Sequence, residues 1–182
     1  FSPQDFLASA TPDFHHDVGK FLINKEIQQL ALVLPRDHAK STMGTCAVLH
    51  RFLFATKENP EFIAWIGEAQ DQARDNLGWI QNHIYENPAI HYYFGDLEGD
   101  KWTKDEFTLK NGCRMIGKGT SQRLRGKKQN STRYTGIILD DFESELNTKT
   151  PDSRQQIKNW VTAAVYPAID FDKNGFLWCN GT

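Results

Sequence analysis

The chain has 182 residues, 39% of them hydrophobic and 24% charged, and carries a formal net charge of −2. That length and balance suit one α/β domain with a proper core. The charge excludes a domain that traps nucleic acid by bulk electrostatics, so any such contact must be local. No run of about 18 apolar residues and no charged-then-apolar leader occurs, so neither a membrane span nor a signal peptide is predicted.

Ser2-Pro3-Gln4-Asp5 sets an N-cap before a proline and opens a helical lead-in over residues 1–30. A second helix is predicted from Asp13 to Leu30, with Phe14, Val18, Phe21, Leu22 and Ile27 on its apolar side. Gln29 to Leu34 reads as the first buried strand. The helix from Lys40 to Thr56 that follows turns Met43, Ala47, Val48, Phe52 and Phe54 inward. Phe62 to Gly67 lacks polar alternation, as expected of a strand covered on both faces. Glu68 to Glu86 follows as a helix that Pro88 ends. Asn111-Gly112 between strand formers predicts a hairpin joining Glu106–Leu109 to Cys113–Ile116. Gly117 to Arg133 is polar, basic and glycine-containing, and is assigned to a loop. Ile137-Ile138-Leu139 is a short buried strand, Asp152 to Tyr166 a helix, and Phe176 to Cys179 a final strand. Strands alternating with helices predict a largely parallel sheet. The three cysteines are odd in number and widely spaced, which suits a reducing cytosol and argues against a structural zinc site. The chain opens without Met and stops at Asn180-Gly181-Thr182 directly after an apolar run, which reads as a fragment of something longer.

Four stretches carry chemistry. Pro35, Arg36, Asp37, His38 and Ala39 form a polar loop between an apolar strand and Lys40-Ser41-Thr42, which opens a helix. That is the layout in which backbone N–H groups and a helix N-terminus cradle phosphates. Lys40 would neutralise the β/γ-phosphates and the Ser41 hydroxyl would bind Mg²⁺. The usual pattern wants glycine where this chain has Leu34 and Ala39. Arg36 could stabilise charge on the γ-phosphate, against the commoner solvated reading. His38 is read as facing water, with a phosphate contact as the alternative. Next, Asp140 at the end of an apolar strand would hold Mg²⁺ through water, and Asp141 or Glu143 would orient the attacking water. Acids cap strands routinely, but two half-motifs in this order, each at a strand's end, outweigh either alone. Third, Arg114, Lys118, Arg123, Arg125, Lys127, Lys128 and Arg133 run without an interrupting acid. They would track a nucleic-acid backbone or lend an arginine to a neighbouring subunit's nucleotide, unless they form a solvated basic loop. Last, Asn180, Gly181 and Thr182 would lie beside the γ-phosphate. His15, His16, His83 and His91 lack partners at metal spacing and are read as structural or surface residues.

Pro35 to Thr42, Ile137 to Glu143 and Cys179 to Thr182 together resemble the N-terminal ATPase domain of tailed-phage terminase large subunits, the motors that pump DNA into procapsids. Gly119-Thr-Ser-Gln-Arg-Leu-Arg-Gly126 and Ile66 to Ala73 resemble that family too. The resemblance implies a RecA-like (ASCE-type) P-loop NTPase with a mainly parallel central sheet flanked by helices. Its ATPase core would occupy 31–182, and an RNase H-like nuclease domain would lie beyond. It implies ATP and Mg²⁺ at Lys40, Ser41 and Asp140, with Arg36 as the loop arginine that triggers hydrolysis. Asn180, Gly181 and Thr182 would form the coupling motif, and Arg123 or Arg125 a trans-acting arginine or DNA contact. Pro12-Asp13-Phe14-His15 would be the adenine-side motif, though without a clear Gln. Many members have Asp-Glu where this chain has Asp140-Asp141, which leaves the catalytic carboxylate between Asp141 and Glu143; the shorter reach of Asp141 favours Glu143. Implied partners are double-stranded DNA, a portal protein, a small terminase subunit and further copies in a ring, in the cytoplasm of an infected bacterium. No nuclease activity is expected of these residues. Two rivals are the first motor domain of a superfamily 2 helicase and a non-hydrolysing nucleotide-binding or DNA-scaffolding module. Loss of both glycines motivates the latter; Lys40, Ser41 and Asp140 argue against it.

Overall fold

The computed structural model of the chain describes residues 11–124 and 133–181. Helix α1 (Asp13–Ile23) lies across α2 (Lys40–Leu53), and between them runs strand β1 (Gln29–Val33). Strand β2 (Phe62–Gly67) leads to α3 (Gln70–Glu86) and a short α4 (Pro88–Phe94). Strands β3 (Glu98–Trp102), β4 (Glu106–Leu109) and β5 (Arg114–Gly119) follow, then β6 (Gly136–Asp140), α5 (Glu145–Thr148), α6 (Pro151–Trp160) and β7 (Phe176–Gly181). The strands form one sheet in the order β1-β7-β6-β2-β5-β4-β3. The first five are parallel; β4 and β3 join antiparallel at the far edge.

Alternation along the central strands builds two cores. Ile63, Trp65, Ile138, Phe176 and Trp178 face one way and pack with Val18, Leu22, Val48, Leu49, Phe52, Leu77 and Ile80 from α1, α2 and α3. Ala64, Ile66, Ile137, Leu139 and Leu177 face the other way, against Leu124, Tyr134, Val165, Ala168 and Ile169. Each large side chain so buried contributes about 1.5–3 kcal/mol. Covered faces explain why β2 and β6 read as unbroken apolar runs.

Several expectations are corrected. The helix from Asp13 ends at Ile23, capped by Asn24, because the chain must extend to enter β1. Of its expected apolar side, Val18 and Leu22 are buried while Phe21 is exposed. Strand β1 is not buried on both faces. It is the edge of the sheet, with Gln29 and Ala31 exposed and Val33 71% exposed, while Leu30 and Leu32 pack inward. Helix α2 stops at Leu53, so Phe54 lies outside the inward stripe and is 64% exposed. Pro88 ends α3 but at once starts α4, with the Asn87 side chain capping its Ala89 N–H. Strand β3 was not expected; Glu-Gly-Asp-Lys-Trp is polar because it is an edge strand. The helix after Pro151 is regular only to Trp160. It widens to a π turn at Val161–Val165 and tightens at Tyr166–Ala168, where Pro167 lacks a donor for the ladder. Arg114 and Lys118 belong to β5, not to a basic loop. Arg114 pairs with Glu106 and stacks 4.6 Å from the Phe62 ring, so its charge is already engaged. Among the described residues, no helix is long and apolar enough to cross a membrane.

Candidate active site

The carboxyl ends of β1, β7 and β6 lie side by side, because β7 inserts between the strand that leads into the Lys40 loop and the strand that ends in Asp140. Ligands of open α/β sheets bind outside such strand ends. The loop from Leu34 to Ala39 is turned by two residues in left-handed backbone, Asp37 (φ 64°) and Ala39 (φ 55°). Ala39 is the N-cap of α2 and stands at the sixth position of the phosphate-loop pattern. The backbone there adopts the conformation for which glycine is the usual residue, and an alanine holds it at a cost of about 1–2 kcal/mol.

Lys40, 7% exposed, donates from Nζ to the carbonyls of Leu34 (2.8 Å) and Pro35 (3.0 Å), so its ammonium lies within the curl of the loop. The Ser41 hydroxyl donates to Asp140 Oδ1 at 3.1 Å, joining the start of α2 to the end of β6. Asn180, opposite Asp140 in the β6–β7 register, donates from Nδ2 to the same oxygen at 3.0 Å. Asp140 is 7% exposed. Burial pushes its carboxyl above the ordinary range and the charge of Asp141 adds to that push, while the hydrogen bonds from Asn180 and Ser41 pull it back. The cluster forms because α2 has glycine at Gly44. A Cβ there would sit 2.9 Å from the Trp65 ring and 3.7 Å from Asn180 Nδ2, and Trp65 is fully buried.

After Asp140 the chain turns sharply. Asp141 is left-handed (φ 43°), and its N–H donates to the Asn180 carbonyl at 3.2 Å. The Phe142 carbonyl accepts from Thr120 Oγ1 (2.8 Å) and Asn147 Nδ2 (3.1 Å). Ser144 and Asn147 then cap each other to open α5. Asp141 and Glu143 both face solvent. Glu143 lies in electrostatic range of Cys179, whose thiol is pushed up to about 11 by burial and then by that carboxylate. The Cys179 side chain packs on the sheet face opposite Asn180, so Glu143 and Asp140 have different surroundings.

Pro35 and Arg36 are exposed, and the Arg36 side chain makes no hydrogen bond or ion pair among the described residues. His38 does not simply face water. It is half-buried, its ring lies 5.8 Å from Phe14, and its carbonyl meets His15 Nε2 at 3.2 Å. The Pro12–His15 stretch therefore touches the loop. Thr42 uses its carbonyl to accept from Thr45 within α2, and Gly181 accepts from the Leu34 N–H at 3.3 Å. Arg123 is exposed. Arg125, Lys127, Lys128, Thr182 and the lead-in at Ser2-Pro3 lie outside the described residues. Sequence reasoning missed Thr120 and Asn147, the two side chains that tie the acidic turn. Ser144-x-x-Asn147 could have been read as a cap; Thr120 lies in the Gly119–Gly126 stretch that carries the resemblance, but nothing in the sequence points to its bond with Phe142.

The donor set fits magnesium. A hydroxyl and a carboxylate are hard oxygen ligands, and Mg²⁺ takes one or two from protein and the rest from phosphate and water.

No family model matches the chain, and no curated protein does. Solved structures do. The large terminase ATPase domain of Thermus phage P74-26 superposes with a TM-score of 0.57 at 16% identity, over 85% of this chain and 59% of that one. An Arg-to-Ala mutant of that domain gives the same score and coverage at 14% identity. The chain shares this RecA-like, ASCE-type fold, a mainly parallel sheet flanked by helices, and spans less than two thirds of those chains.

Proposed function

We propose that the chain binds ATP with Mg²⁺ at the carboxyl ends of β1, β7 and β6 and hydrolyses it, as the ATPase domain of a terminase-type DNA-packaging motor. The observation that carries this reading is the Ser41–Asp140 hydrogen bond. It joins residues 99 positions apart into the hydroxyl–carboxylate pair that a nucleotide-bound Mg²⁺ requires. Lys40, directly before it, supplies a cation inside the loop, and the fold shared with a terminase ATPase domain supports the same site.

The residues divide the work. Backbone N–H groups of the Ala39–Thr42 turn and the start of α2 would face the phosphates. Lys40 would exchange the carbonyls of Leu34 and Pro35 for phosphate oxygens, a stronger charge-assisted pairing. Ser41 and Asp140 would hold Mg²⁺, which when bound neutralises charge on the phosphates. Arg36, exposed on the loop, is free to meet the γ-phosphate. Asp141 and Glu143 remain the two candidates for orienting the attacking water. Phe14 and His38 offer an aromatic flank on the adenine side. Asn180 and Gly181, with Thr182, would register hydrolysis through Asp140. Arg123 and Arg125 are assigned to a neighbouring subunit's nucleotide or to DNA. Double-stranded DNA, a portal protein, a small terminase subunit and further copies in a ring are the partners of this reading, in the cytoplasm of an infected bacterium.

ATP turnover of the wild type beside Lys40→Ala, Asp141→Asn and Glu143→Gln tests it. Lys40→Ala is expected to lose about 10²-fold or more, and EDTA to remove turnover. One acidic variant should lose a comparable factor, which assigns the water-orienting carboxylate. Equal turnover in wild type and Lys40→Ala would overturn the proposal in favour of a non-hydrolysing module.

A further inference from the structure

The turn that carries both candidate carboxylates is held from outside β6 by two side chains, Asn147 of α5 and Thr120, neither of them assigned to phosphate or metal. Thr120 follows the last residue of β5, and its N–H donates to the Gly67 carbonyl at 2.9 Å, one rung beyond the β2–β5 ladder. Ser121 is left-handed (φ 66°) and turns the chain away at once, so Thr120 stands as the final rung. Its hydroxyl has one proton and two carbonyls in reach, Phe142 at 2.8 Å and Gly67 at 3.1 Å. Each carbonyl accepts one other hydrogen bond, so distance decides, and the shorter contact, to Phe142, takes the proton. The Phe142 carbonyl also accepts from Asn147 Nδ2 at 3.1 Å, which fills both its lone pairs. The segment so held begins with Asp141 in left-handed backbone, a conformation that persists only where its surroundings fix it.

We propose that Thr120 is a positioning residue for hydrolysis: its hydroxyl ties the Phe142 carbonyl to the end of β5 and so aims the carboxylates on either side of it, Asp141 and Glu143. The assignment rests on the ATPase reading, and it holds whichever of the two carboxylates orients the water. Thr120 is not among the residues assigned to phosphate or metal, so its loss is expected to separate turnover from binding. Thr120→Val keeps the shape and removes the donor; Thr120→Ser keeps the donor and removes the methyl group.

The test measures kcat and KM for ATP together with amide hydrogen exchange over residues 141–148, in the full chain and both variants. Thr120→Val is expected to lower kcat about five- to tenfold, the scale of one lost hydrogen bond, with KM for ATP changed less than about twofold. Exchange at 141–144 should rise by a similar factor while β6 stays protected, and Thr120→Ser should behave as wild type in every readout. The proposal is overturned if Thr120→Val exchanges and turns over like wild type, or if Thr120→Ser loses as much kcat as Thr120→Val. If the wild type hydrolyses no ATP, the ATPase reading fails by itself. Faster exchange in Thr120→Val alone then still supports the tether, and unchanged exchange sinks it.

Discussion

The two ends of the sheet each bury a charge and treat it oppositely. At the amino end, Arg51 is 4% exposed, with its guanidinium 4.3 Å from the Phe176 ring centre and 5.4 Å from that of Trp178. Glu61 faces it at 3.6 Å and accepts from Thr135 at 2.5 Å, while the Glu61 N–H meets Cys113 Sγ at 3.3 Å. Cation, anion and rings offset one another's charge there, although Arg51 Nε and Nη2 are buried without a hydrogen-bond partner among the described residues; burial pulls the Arg51 pKa down and Glu61 pulls it back. At the carboxyl end, Asp140 makes no ion pair among the described residues, only hydrogen bonds from a hydroxyl and an amide. Asp37, Ala39, Ser121 and Asp141 all adopt positive φ around it. The amino end spends its charges on closure. The carboxyl end keeps a buried carboxylate that pairs with no cation among the described residues, an arrangement that the proposed metal-bound phosphate would complete.

Arg51→Ala should show the largest effect, because it leaves Glu61 buried without its main cation. A loss of about 3–5 kcal/mol is expected in urea unfolding, with nucleotide affinity of the folded fraction unchanged. A matching fall in affinity would mean that the two ends are not separable. Ala39→Gly should stabilise the chain by about 1 kcal/mol by relieving the left-handed alanine, without loss of turnover. Destabilisation by this change would show that the loop is not held at positive φ in solution.

Asp140→Asn gives a trend across pH rather than a step. The folded pKa of Asp140 lies above its unfolded value, so the native state binds more protons between the two. Its contribution to stability is present below the ordinary carboxylate value and is lost as pH rises through the folded value. Asparagine suffers no such loss. In the presence of a chelator, the Tm of Asp140→Asn should match wild type in acid and exceed it increasingly toward neutral pH. The reverse slope would place a hidden cation beside Asp140.

Much of this was legible because it is local. The apolar runs of β2 and β6, the Asn111-Gly112 turn and Lys40-Ser41-Thr42 opening a helix each declare themselves within a few residues. Asp140 was readable because a strand delivers its last residue to a predictable edge. What escaped depends on lateral placement. Strand β3 is polar because it is an edge, and β1 is half-open for the same reason, yet strand order is not written in either segment. Asn180 was expected near the phosphates, but its bond to Asp140 is a matter of β6–β7 register. Thr120 matters only because two loops far apart in sequence end at the same rung. The basic run looked unbroken because Glu106, which takes Arg114, comes from the neighbouring strand.

Strand β7 also has a dynamic consequence. The Leu34 N–H bonds to the Gly181 carbonyl, and the Asp141 N–H to that of Asn180. The Leu34–Ala39 loop and the acidic turn are thus moored to consecutive peptide units of one strand, paired on both sides within the sheet. Fast backbone fluctuation at these two moorings should be small and correlated, with order parameters near the rigid-backbone value of about 0.85. Slower rearrangement that separates the two loops must then come from the helices they lead into, α2 and α5, turning about a fixed strand.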